Sequence, residues 1–130
     1  MISLDETEMI LNEIAESFPG GLMNHLNGGI ILLPDAKLHR KSMNNDLYIL
    51  GEYHHDRLFG RYIIIYYGSF MKVHGSLQRE ALKEKLCSTL KHEFVHHLES
   101  LAGEKDLEIK DAEQIAGYIK SSANFFHRDP

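Results

Sequence analysis

The stretch Leu82-Lys83-Glu84-Lys85-Leu86-Cys87-Ser88-Thr89-Leu90-Lys91-His92-Glu93-Phe94-Val95-His96-His97-Leu98 carries leucine or phenylalanine at every fourth position from 82 to 98. On an α-helix these residues fall along one stripe, which predicts a long helix with one side packed on a core. Leu77 and Leu101 extend the stripe at its two ends. Ser76 is expected to cap the N-terminus. Gly103 is expected to end the helix in the left-handed conformation that glycine adopts without steric cost.

The polar residues of the same stretch carry chemistry. His92 and His96 are about 400° apart, so both imidazoles project from one face, a single turn from each other, and can share one cation. Glu93 lies about 100° round the helix, beside that cation rather than on it. A general base is wanted there: zinc lowers the pKa of a water molecule towards about 7, and a carboxylate takes its proton as it attacks a carbonyl. The chain has one cysteine, Cys87, which excludes an internal disulfide and every cysteine-rich zinc framework. Any Zn2+ must therefore be held by histidine and carboxylate. Cys87, beside the apolar stripe, reads as a small buried hydrophobe.

A catalytic zinc site takes a third protein ligand and leaves one position open. Asp106 is preferred, because the chain can reverse at Gly103 and bring a carboxylate back towards the helix. Glu99, Glu108 and Asp111 are the alternatives; Glu99 sits far along the helix axis from the pair, and Asp111 is also explained as a helix cap. His97 is turned about 100° from His96 and is expected to be a supporting or surface residue.

Outward from the long helix, Ser3 and Glu6 form a capping box for a helix over residues 4–18, stopped by Pro19-Gly20-Gly21. Gly29 to Leu33 reads as a strand, Asp35 to Asn45 as a loop, and Leu47–Tyr53 and Arg61–Tyr67 as two strands of a hairpin turning through Asp56 and Gly60. Asp111 with Gln114 marks a last helix near 112–120. The expectation is an α+β fold over residues 1–130, a single domain in which a small, mixed or mostly antiparallel three-stranded sheet packs against the long active-site helix. Tyr53, His54 and His55 near the hairpin are candidate transition-state donors, and the strand Arg61–Tyr67 a candidate edge for an extended peptide. The tyrosines at 48, 53, 62, 66 and 67 read mainly as core on one side of a sheet and amphipathic cover on the other.

Composition narrows the partners. A formal charge of -5 with 14 scattered basic residues gives no stripe for nucleic acid. The acidic start Met1–Glu8 and the lack of an apolar run of about 20 residues point to a cytoplasmic protein with no membrane partner.

The run His92-Glu93-Phe94-Val95-His96-His97-Leu98, followed by Gly103-Glu104-Lys105-Asp106, resembles the minimal zincins. These are short, single-domain zincin-like metallopeptidases with the pattern His-Glu-x-x-His-His-x-Gly-x-x-Asp. Leu50-Gly51-Glu52-Tyr53 and Ile63-Ile64-Ile65-Tyr66-Tyr67 are also similar to that family. The resemblance implies zinc on His92 and His96, Glu93 as base, Asp106 as third ligand and a small sheet beside the active-site helix. The chain departs from the pattern in having Glu99 where the family has glycine, which delays Gly-x-x-Asp by about one helical turn. The expected activity is zinc-dependent hydrolysis of peptide bonds in a peptide or protein substrate. The alternative is a non-catalytic module in which the same metal clamps helix to loop.

Overall fold

The computed structural model describes residues 1–103; Asp106, Glu108, Asp111 and the helix expected near 112–120 lie outside the described residues. The first helix, α1 (Leu4–Ser17), starts where the capping box placed it, with the Ser3 hydroxyl accepting the Glu6 N–H at 3.1 Å. Its buried side carries Ile10, Leu11 and Ile14. Pro19 follows, and a 3-10 turn over Gly20–Met23 leads to β1 (Gly29–Leu33).

The segment expected to be a loop contains β2 (Lys37–Leu38), which pairs antiparallel with β3 (Tyr48–Ile49). Next come β4 (Gly51–Asp56) and β5 (Gly60–Tyr66), joined by a tight turn in which the Asp56 carboxylate accepts the N–H groups of Leu58 and Phe59. The main sheet has the order β1-β5-β4, with β5 parallel to β1 and antiparallel to β4. It is thus a mixed three-stranded sheet in an α+β fold. One expectation is corrected here: β5 is the central strand, paired on both sides, and the free edge beside the long helix belongs to β4.

Tyr67 does not continue β5 but begins a helix, α2 (Tyr67–His74), that the apolar run Arg61–Tyr67 concealed. Gly68 makes the change of direction possible. A Cβ there would lie 2.5 Å from the Ala36 nitrogen and 2.7 Å from the Asp35 carbonyl carbon. The Gly68 N–H instead reaches the Asp35 oxygen at 3.0 Å.

The long helix, α3 (Arg79–Ala102), has Gln78 rather than Ser76 at its N-cap, because Ser76 belongs to the turn leaving α2, where the Leu77 N–H bonds to the His74 carbonyl. Gly103 ends the helix but has φ -79, a right-handed conformation in which its N–H still bonds to the carbonyls of the last turn. The left-handed ending is therefore corrected too. The leucine stripe is buried as its spacing requires: Leu82, Leu86, Leu90 and Phe94 are all 0% exposed. Each such side chain stabilises the fold by about 1.5–3 kcal/mol relative to exposure. Phe94 meets Phe18 edge to face at 5.5 Å, which ties α1 to α3. Cys87 is free and buried, and burial raises its thiol pKa.

Across the core from α1, α3 lies along β4. At Gly51 a Cβ would be 3.0 Å from Thr89 Cγ2, so glycine lets strand and helix approach closely. Among the described residues no helix is long and apolar enough to cross a membrane.

Candidate metal and active site

His92 and His96 stand exposed on one face of α3, their Nε2 atoms 3.3 Å apart and their rings nearly perpendicular at 89°. Two bonds of about 2.0–2.1 Å to one tetrahedral zinc separate the donor atoms by about 3.3 Å. The separation of the two donor atoms therefore matches that of a shared zinc ion. Glu93 is only 6% exposed. Its burial raises the carboxyl pKa, against the opposing pull of His92 and His96.

The three residues open on a cavity of about 520 Å³ between helix and strand. From α3 come His92, Glu93, His96 and Ser100, the last one turn beyond His96; from β4 come Gly51, Glu52, Tyr53 and His54. The structure thus brings together the predicted pair, the predicted base and two of the three predicted polar neighbours. His55 is exposed and is not among the residues lining the cavity. Among the described residues no third histidine, cysteine or carboxylate completes a metal-binding group with the pair. Glu99 is exposed and does not supply that ligand.

Of the two roles expected for His97, the surface one is excluded. His97 is 0% exposed, with Nε2 2.9 Å from the Asn24 carbonyl and Nδ1 2.9 Å from the Tyr53 hydroxyl. A carbonyl can only accept, so Nε2 carries the proton, Nδ1 accepts, and the Tyr53 O–H donates to it. Burial holds the His97 pKa below its ordinary value, which keeps the ring neutral. With its proton given to His97, the Tyr53 oxygen is left to the side chains of Ser100 and Arg61 that also meet it.

The same architecture is found elsewhere. A conserved hypothetical protein of Thermus thermophilus is similar, with a TM-score of 0.65 and 29% sequence identity over 78% of this chain and 98% of that one. No protein-family model and no curated protein matches the sequence.

Sequence reasoning missed one part of the site, the clamp around Glu52. Its Oε1 accepts the Tyr66 hydroxyl at 2.6 Å and His54 Nε2 at 3.2 Å, while Oε2 accepts Lys37 Nζ at 2.8 Å. Burial alone would raise this carboxyl, but the bonds from Lys37, Tyr66 and His54 together hold it below its ordinary value. The signal available beforehand was the Glu52-x-His54 spacing, which puts both side chains on one face of a strand.

Proposed function

We propose that this protein is a zinc-dependent metallopeptidase of the minimal zincin kind, with His92 and His96 as metal ligands and Glu93 as general base. The observation that carries the reading is the 3.3 Å histidine pair beside a buried carboxylate in one cavity. Asp106 is the first candidate for the third ligand. When bound, zinc supplies Lewis acidity, polarising a carbonyl and acidifying water. Glu93 takes the proton of the attacking water and returns it to the leaving nitrogen, a task suited by a carboxyl pKa raised by burial. The free Cys87 thiol accords with a cytoplasmic setting.

The edge of β4 gives an extended peptide its place. The Tyr66 N–H bonds to the Leu50 carbonyl, and antiparallel pairs alternate along a ladder. Glu52 and His54 therefore exchange backbone bonds with β5, while Gly51, Tyr53 and His55 turn theirs outward. A peptide added there is held by its main chain, with little selection of side chains. A clamp that closed the metal with four protein ligands would enclose the histidines, whereas here both are exposed at a cavity.

The test uses untagged protein purified with zinc, counted by elemental analysis, and a peptide library read by mass spectrometry. Glu93→Gln is expected to keep stoichiometric zinc and the melting temperature while cleavage falls by about 10²–10⁴-fold. Cleavage undiminished in that variant would overturn the mechanism, and protein with no stoichiometric zinc would overturn the site.

A further inference from the structure

His54 is the one imidazole of β4 that lines the cavity, and it is held from two directions. Its Nε2 is bonded to Glu52, and its ring stacks on Tyr62 with centroids 5.1 Å apart and planes 15° from parallel. Glu52 is itself fixed by Lys37 and Tyr66, so the imidazole is anchored to a part that cannot swing. An ionised carboxylate only accepts, so in the neutral ring the proton sits on Nε2 and Nδ1 keeps its lone pair. Among the described residues Nδ1 of His54 makes no hydrogen bond. The His54 side chain is 39% exposed, within reach of a molecule occupying the cavity.

We propose that His54 is a substrate-contacting residue whose Nδ1 accepts the N–H of the scissile amide, and that the site therefore selects peptide bonds whose nitrogen carries a hydrogen. The inference rests on the metallopeptidase reading above. During hydrolysis the water oxygen bonds to the carbonyl carbon and its proton passes to Glu93. The carbon–nitrogen bond then breaks as that proton moves to the leaving nitrogen. His54 neither gains nor loses a proton; it fixes the nitrogen, whose own pair receives the proton that Glu93 delivers. The Tyr53 hydroxyl is less free, because it serves His97 and its oxygen is also met by the Ser100 and Arg61 side chains. Bonds preceding proline have no N–H to offer and are the disfavoured class.

Two peptide ligands separate this role from the metal site itself. One is a phosphonamidate, with tetrahedral phosphorus in place of the carbonyl carbon and N–H in place of the amide nitrogen; the other is the matching phosphinate, with CH2 in that position. Zinc-loaded wild-type protein is expected to bind the phosphonamidate about tenfold more tightly by calorimetry, or about 1.4 kcal/mol. In His54→Ala both ligands should bind alike, with zinc content and melting temperature unchanged. His54→Gln, which keeps an acceptor, should restore part of the preference. A preference that persists in His54→Ala, or that wild type lacks, overturns the role of His54 and leaves the metal site standing. Failure of both ligands to bind the wild type overturns the metallopeptidase reading and the inference together.

Discussion

The Tyr53 hydroxyl and the His97 ring depend on each other. His97 has no access to water, so each ring nitrogen must find a partner inside the protein, and the two it finds are Asn24 and Tyr53. Replacing Tyr53 with phenylalanine leaves a buried nitrogen without its donor. The expected loss of stability is about 1–3 kcal/mol by denaturant titration, more than the usual effect of removing a half-exposed hydroxyl. A loss under about 0.5 kcal/mol would mean that His97 is satisfied in another way. At this scale the residues easiest to read from the chain are those whose partners are set by one helix. His92, Glu93 and His96 are placed by 3.6 residues per turn alone. His97 obeys the same rotation, which said only that it points away from the pair. Whether that direction meets water or core is decided by the Asn24 turn, 73 residues earlier in the chain. The Glu52 clamp was hidden for the same reason, since Lys37 and Tyr66 approach it from separate strands.

Local pattern located most of the elements, but it missed β2 and α2 and carried β5 one residue too far. The run Ile63-Ile64-Ile65-Tyr66-Tyr67 reads as strand throughout, because β-branched and aromatic residues favour a pleated surface. The switch to helix at Tyr67 is imposed by the chain between β1 and β2, which crosses against Gly68. This fixes the sign of a simple experiment. In a helix, glycine to alanine normally stabilises, by up to about 1 kcal/mol. At Gly68 the new methyl would press on backbone atoms of Pro34, Asp35 and Ala36, none of which can rotate away. Gly68→Ala is therefore expected to destabilise by about 1–3 kcal/mol, read as a lower denaturation midpoint. An unchanged or higher midpoint would show that this crossing yields easily. The strand order was equally out of reach of local pattern: period and length identify three strands, but which of them lies in the middle is decided by the parallel pairing of Gly29–Leu33 with Tyr62–Tyr66.

Across the whole molecule, one side of α3 holds the core together while another faces the cavity. The stripe from Leu82 to Leu98 is buried without any contribution from a metal, and His92 and His96 are exposed. If zinc binds as proposed, folding is expected not to depend on it, unlike the situation in small domains that are unfolded without zinc. The consequence is quantitative. An ion that binds only the folded state stabilises it by RT ln(1 + [L]/Kd), about 2.7 kcal/mol at a hundredfold excess over Kd. Adding zinc to metal-free protein is expected to raise the melting temperature progressively with concentration, and a chelator should reverse the rise. His92→Ala and His96→Ala should each abolish the zinc-dependent shift while changing the metal-free melting temperature little, because each removes an exposed ring from a helix that alanine favours. Retention of the full shift in both variants would place the ion elsewhere. Metal-free protein that is already unfolded would mean that the stripe does not suffice and that metal is part of the core's stability. The same titration applied to Asp106→Ala and Glu99→Ala tests the third ligand. A loss of zinc affinity confined to Asp106→Ala would show that the chain beyond Gly103 returns to the helix and closes the site.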